Sequence, residues 1–195
     1  LVGNDAYAGP FYVYLIAGLL RMGLKDPVLG RAVVMVAGVL TIPVTYGWTI
    51  ALSKNKIAAL VAAILVALSP DLILINSHLG GTTFLLPFFT TLFLGLLVHA
   101  VNKDNARWLI AAGIIAGIAL QLNPVAAFPI ASGTLWLFWQ SRHKAQLRKW
   151  WPFWTVIFAG IVVLLYTPVI VHNLTFDFQT VDAMQDRSYL WQENP

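Results

Sequence analysis

Residues 108–141 read WLIAAGIIAGIALQLNPVAAFPIASGTLWLFWQS, a stretch that contains no Asp, Glu, Lys or Arg. An α-helix needs about 20 apolar residues to cross the hydrocarbon core of a bilayer. This stretch is longer than that, and it is divided at Asn123-Pro124, a dipeptide typical of turns. It therefore predicts two neighbouring membrane-spanning helices that are joined at Asn123.

The rest of the chain has the same character. Of its 195 residues, 59% are hydrophobic and 10% are charged, against roughly 25% charged in ordinary soluble domains. Four further stretches also lack charged residues, namely 32–52, 57–70, 84–102 and 150–176. The sequence predicts one all-α domain, residues 1–195, built as a polytopic transmembrane helical bundle. It contains no cysteine, which excludes a disulfide framework and a thiolate metal site.

Six spanning helices are predicted, at about residues 31–52, 57–76, 84–101, 108–122, 124–140 and 152–172. Residues 10–23 precede them, and as a helix they would reach only about 21 Å, less than the roughly 30 Å of the core. We expect this segment to lie along the interface, a depth that suits Tyr12 and Tyr14.

The predicted parts are therefore an outer loop with an interfacial helix (1–30), six membrane spans (31–173) and the start of a second outer loop (174–195). Both ends of the chain are polar, so we expect it to be a fragment of a longer protein, cut at two loops.

The basic residues indicate the orientation, because cytoplasmic loops gather Lys and Arg. With residues 1–30 outside, the inner loops hold eight of the twelve basic residues: Lys54, Lys56, Lys103, Arg107, Arg142, Lys144, Arg148 and Lys149. Asp104 is the only acid predicted on that side. The formal net charge of +4 is then explained by anchoring against anionic lipid, not by binding nucleic acid. We expect a multi-pass protein of the plasma (inner) membrane whose active face points outward.

No ionisable residue lies near the middle of a predicted span, where an ion-coupled transporter would hold its coupling site. Chemistry is therefore expected on the outer face, where three stretches carry polar groups. GNDAYAGPFYVYL (3–15) carries Asp5, a polar turn (76–83) follows the second span, and Asn123-Pro124 joins the fourth and fifth spans. Each stretch also has a purely structural interpretation: the first as the start of a helix, the second as a simple hairpin between two helices, and the third as a turn.

Several segments together resemble the bacterial branch of the GT-C membrane glycosyltransferases, which includes protein O-mannosyltransferase-like enzymes and the lipid A aminoarabinose transferases. They are GPFYVYLIAGLLRMG (9–23), TTFLLPFFTTL (82–92), AGIIAGIALQLNP (112–124) and YTPVIVHNLTFDFQTVDA (166–183). The resemblance implies an enzyme that moves a hexosyl or pentosyl group from a polyprenyl-phosphate donor to a lipid, glycan or protein acceptor on the outer face. It also implies an acidic motif in an outer loop, expected before Leu1. The chain departs from the aminoarabinose transferases at Ala8-Gly9, where they have Glu-Lys.

Site residues follow from this resemblance and from the chemistry of transfer. A carboxylate can take the proton of an attacking hydroxyl; the resemblance places the main catalytic acid before Leu1, and Asp5 is the candidate catalytic acid within the chain. Candidate substrate-binding residues are His78, Thr83, Asn123 and Arg187; Thr83 stands where the aminoarabinose transferases have an acid. Arg187, His78 or a divalent cation could stabilise the departing phosphate, although no metal-ligand spacing is visible.

The alternative function is a non-catalytic polytopic membrane protein, such as a lipid flippase, a transporter subunit or an export scaffold. Such a protein would share the hydropathy and the loop charges of this chain. An acidic pair in an outer loop after one further span would favour the transferase.

Overall fold

A computed structural model of the chain describes residues 10–24, 26, 28–70, 72–73 and 81–175, and within these ranges it contains helices and turns but no strand. The α-helices are α1 (Phe11–Arg21), α2 (Leu29–Ser53), α3 (Lys56–Ala67), α4 (Leu86–Lys103), α5 (Trp108–Leu122), α6 (Ala127–Ser141) and α7 (Ala145–Thr175). Short 3₁₀ turns, Thr83–Leu85 and Pro124–Ala126, lead into α4 and α6. The predicted all-α fold is confirmed.

Two helical stretches of the described chain, Leu29–Ser53 and Thr83–Lys103, are long and apolar enough to cross a membrane. Four others are apolar but shorter: Phe11–Arg21, Lys56–Ala67, Trp108–Leu122 and Thr155–Val171. The count of six spans therefore stays a prediction. The first helix has 11 residues, and its length of about 16 Å agrees with the short segment expected before the spans.

The predicted helix boundaries hold in some places and are wrong in others. The fourth predicted span, 108–122, coincides with α5. The second, 57–76, is interrupted, because α3 ends at Ala67 and a separate helical turn begins at Pro70. Proline has no backbone N–H and favours the first position of a helix. Pro70 therefore begins a new helical turn instead of extending α3.

The core forms where small residues let α5 approach its neighbours. Helix α5 packs against both α4 and α7, and three of its four alanines, Ala112, Ala116 and Ala119, are fully buried. Gly113 and Gly117 complete a GxxxG pattern, which allows the backbones of two membrane helices to come close. A Cβ atom at Gly117 would lie 2.7 Å from Leu165 Cδ1 and 2.8 Å from Leu165 Cβ of α7. The glycine is therefore required by the spacing of α5 and α7.

Hydrogen bonds tie the helices together at one end of the bundle, which we call the basic end (loops 54–55, 104–107 and 142–144). Asn102 Nδ2 of α4 donates to the Ala51 carbonyl of α2 at 2.7 Å. Asp104 Oδ1 accepts from the Leu147 N–H of α7 at 3.2 Å. The eight basic residues expected on one side of the membrane lie in these loops or in the adjoining helix turns. Which side of the membrane this end faces stays a prediction.

Asp104, the lone acid at the basic end, has a structural role. It follows α4 in the left-handed conformation, with a φ of 44°, and its carboxylate accepts an N–H from the first turn of α7, where backbone donors lack intrahelical partners. We expect Asp104→Ala to lower the free energy of unfolding by about 1 kcal/mol. Thermal unfolding in detergent, followed by tryptophan fluorescence, measures this loss. Asp104→Asn keeps the acceptor and tolerates the left-handed backbone, so a loss as large as that of the alanine variant would contradict the assignment.

Candidate functional site

Two of the predicted site residues meet at the other end of the bundle, which we call the Asn123 end (the start of α1, the 3₁₀ turn Thr83–Leu85 and the junction of α5 with Pro124–Ala126). Asn123 Nδ2 donates to Thr83 Oγ1 at 3.4 Å, a long hydrogen bond between residues 40 positions apart in the chain. The side chain of Asn123 is 7% exposed, and Thr83 is half-buried. The fold therefore brings together a hydroxyl and an amide that lie on separate loops.

The conformation of Asn123 is fixed by the turn that it starts. Its backbone is extended (φ −163°, ψ 131°), and its Oδ1 accepts the Val125 N–H at 2.9 Å, which caps the 3₁₀ turn Pro124–Ala126. The carboxamide oxygen is thus committed to structure, while the Nδ2 group carries two N–H donors. One donor faces Thr83, and the other has no hydrogen-bond acceptor among the described residues. Asn123 can therefore offer a donor to a ligand without giving up its turn.

Gln121, which is not among the predicted site residues, connects three helices at the same end. Its Oε1 accepts the Phe11 N–H of α1 at 3.2 Å, and its Nε2 donates to the Leu165 carbonyl of α7. The side chain is 6% exposed. A lone amide within an apolar helix is the signal that could have identified it, because such residues in membrane segments usually have a specific partner.

Aromatic side chains form the apolar part of the Asn123 end. The Phe11 ring meets Phe89 edge-on, with centroids 5.7 Å apart, and Phe89 meets Phe88 in the same way at 5.3 Å. Tyr12 lies against the start of α2, where a Cβ at Gly30 would be 2.7 Å from its hydroxyl. Burial raises the pKa of the Tyr12 phenol above its ordinary value.

Three predicted site residues, Asp5, His78 and Arg187, lie outside the described residues. In the described part, no group of three or more His, Cys, Asp or Glu could hold a metal ion. Thr83 and Asn123 can bind phosphate or sugar oxygens, but neither can accept a proton from an attacking hydroxyl at neutral pH. A reaction at this end would need a carboxylate from outside the described residues.

The family model described as dolichyl-phosphate-mannose-protein mannosyltransferase matches residues 8–172. The match spans most of the chain and includes Thr83, Gln121 and Asn123. Comparison with curated proteins and with solved structures gives no significant match.

Proposed function

Because the chain belongs to the dolichyl-phosphate-mannose-protein mannosyltransferase family, we propose that it transfers a sugar from a polyprenyl-phosphate carrier to a lipid, glycan or protein acceptor. Membership makes the chain a membrane-integral glycosyltransferase of the mannosyltransferase type. The proposal adds the donor class, the acceptor hydroxyl and the position of the reaction at the Asn123 end. It also places that end on the outer face of the plasma membrane.

The observation that supports this position is the contact between Thr83 and Asn123 beside the start of α1. Negative charge grows on the phosphate oxygens as the bond to the sugar breaks, and fixed hydrogen-bond donors aimed at that charge lower the barrier. The Thr83 hydroxyl and the second Nδ2–H of Asn123 are such donors. Both are held by the fold before a substrate arrives.

The transfer itself needs one new bond, one broken bond and one proton acceptor. The acceptor hydroxyl oxygen forms a bond to the anomeric carbon, and the phosphate leaves with the electron pair of the old carbon–oxygen bond. A carboxylate takes the hydroxyl proton, and Asp5 is proposed for this role. Asp5 precedes Pro10 by five positions, which a fully extended chain covers in at most about 18 Å. His78 and Arg187 are proposed as further donors to the phosphate, with a divalent cation as the alternative.

The membrane arrangement in this proposal keeps six spans, which comprise α2 to α7 with the turns that lead into them. This arrangement is supported by the positions of successive loops, which lie at opposite ends of the bundle. Thr83 and Asn123 meet at one end, while Asn102 contacts Ala51 at the other. Such grouping is expected when successive helices run antiparallel across a bilayer. The first helix, α1, then lies at the interface on the Asn123 side.

Donor turnover tests the proposal directly. The purified protein is reconstituted in nanodiscs with polyprenyl-phosphate mannose that carries a labelled sugar, and a membrane extract supplies acceptors. A transferase moves the label to an acceptor and releases an equal amount of polyprenyl phosphate. A flippase would carry intact donor across a vesicle bilayer, and a scaffold would do neither. Intact donor after prolonged incubation would contradict the proposed function.

Thr83 and Asn123 give the first mutational prediction. We expect Thr83→Val and Asn123→Asp each to lower turnover about tenfold or more, because a hydrogen bond to a charged group contributes about 1.5–3 kcal/mol. Asn123→Asp keeps the acceptor that caps the Val125 N–H, removes the Nδ2–H donors and, where ionised, adds a negative charge that would repel the phosphate. The matched control is Thr90→Val, since Thr90 Oγ1 donates to the Leu86 carbonyl within α4. Equal turnover in Thr83→Val and Thr90→Val would show that Thr83 does not bind the substrate.

A further inference from the structure

We infer that Gln121 is a positioning residue for the transfer reaction: its side-chain amide fixes the first turn of α1 against α5 and α7, beside Thr83 and Asn123. The inference rests on the proposed function, because it concerns how the reacting groups are held. It goes beyond that function by assigning a role to a residue that need not touch the substrate.

Both halves of the Gln121 amide are used, each by a different helix. The oxygen accepts the Phe11 N–H of α1, 110 positions away in the chain, and the nitrogen donates to the Leu165 carbonyl of α7, 44 positions away. Burying an amide among apolar side chains is unfavourable unless it is hydrogen-bonded. Gln121 is almost fully buried, so these two partners define where α1 and α7 can sit.

The bond to α1 supplies a cap that the helix lacks locally. The first N–H groups of a helix have no intrahelical acceptor, and Pro10, which precedes Phe11, provides no side-chain cap. Gln121 takes over this role from another helix. The Phe11 ring is also held, edge-on against Phe89 of α4. The start of α1 is therefore attached at two points, through its backbone and through its first side chain.

The bond to α7 depends on the close approach of α5 and α7. Gly117 lies one turn before Gln121, and the absence of a side chain there lets Leu165 pack against the α5 backbone. A lateral donor such as Gln121 Nε2 can then reach the carbonyl. This bond orients the amide so that its oxygen faces Phe11.

Two variants test the bond to α1. Gln121→Met has a similar length but makes neither hydrogen bond, whereas Gln121→Glu keeps an acceptor for the Phe11 N–H whether or not it is ionised. If Gln121 positions α1, Gln121→Met lowers kcat per folded protein about tenfold or more, with the KM for polyprenyl-phosphate mannose nearly unchanged. Gln121→Glu keeps kcat near the wild-type value, although its unfolding temperature is lower than that of the wild type.

The matched control is Gln140→Met, a half-buried glutamine of α6 towards the basic end, for which kcat stays unchanged. Tryptophan fluorescence unfolding measures the folded fraction of every variant. Where Gln121→Met does not fold, Gln121→Asn takes its place, because it keeps an amide that is one methylene too short to hold both partners. The same loss of kcat is expected.

Three results would overturn the inference while leaving the proposed function standing. Unchanged kcat in folded Gln121→Met would show that the residue only stabilises the bundle, and a raised KM with unchanged kcat would show a substrate contact instead. If kcat of Gln121→Glu is as low as that of Gln121→Met, the hydrogen bond to the Phe11 N–H of α1 is not what maintains activity. A wild-type protein without turnover would overturn the proposed function together with this inference, whereas the other results leave the proposed function standing.

Discussion

Replacing Gly117 by alanine is expected to lower the free energy of unfolding by about 1–3 kcal/mol, although alanine is the better helix former. The added Cβ would come within 2.8 Å of Leu165 Cβ and 2.7 Å of Leu165 Cδ1. The contact with Leu165 Cβ cannot be relieved by rotating the leucine, because that atom is attached directly to the α7 backbone. The two helices must separate, which also strains the bond from Gln121 to the Leu165 carbonyl.

Gly160→Ala is the control for this prediction. Gly160 lies on α7, and a Cβ there would have no neighbour within 4 Å, so alanine should leave stability unchanged or raise it by up to about 1 kcal/mol. Unfolding of both variants is followed by tryptophan fluorescence in the same detergent. Similar unfolding temperatures for the two would show that α5 and α7 are not as close as the structure has them.

The largest effect on activity is expected for Asp5→Asn. If Asp5 accepts the proton of the attacking hydroxyl, the amide variant loses about 10²–10⁴-fold in sugar transfer, the usual contribution of a general base. Asparagine keeps the size of the side chain but cannot accept that proton at neutral pH. The measurement is the initial rate of label transfer from polyprenyl-phosphate mannose at saturating donor.

Asp26→Asn provides the matched control for the Asp5 variant. Asp26 is an exposed acid that precedes α2, and its Oδ1 accepts the Val28 N–H at 2.8 Å. Asparagine can make the same bond, so both folding and transfer should be preserved. Full activity in Asp5→Asn would exclude Asp5 as the base, and an equal loss in both variants would point to a general effect of charge near the membrane surface.

Hydropathy predicted the helices best where polar residues or breaks mark their ends. Helix α5 was placed at its observed bounds because Arg107 precedes it and Asn123-Pro124 follows it. The end of α3 was missed because residues 72–75, which follow Pro70 and Asp71, are again apolar, and mean hydropathy does not register a proline break between two apolar segments. The first turns of α7 were missed for the opposite reason, since Arg148 and Lys149 are polar and yet helical.

The sequence predicted some residues of the site but not how they contact one another. Thr83 and Asn123 could be selected from their turns, but their contact depends on the packing of α4 against α5, which no local pattern specifies. Gln121 was missed because one amide hardly changes the mean hydropathy of an apolar helix. Its role depends on partners 44 and 110 positions away. Asp5, His78 and Arg187 lie outside the described residues and stay predictions.

In the proposed six-span arrangement, where α5 crosses the bilayer together with its neighbours, the shortness of α5 has a consequence for the membrane around it. Its 15 residues reach about 22 Å, several Å less than the hydrocarbon thickness of a typical bilayer. A helix that crosses with such a mismatch draws the lipid surface inward. Asn123, at the end of α5, would then lie at the base of a local depression in the bilayer. A carrier lipid beside it would present its phosphate at the depth of Asn123 and Thr83 without leaving the membrane.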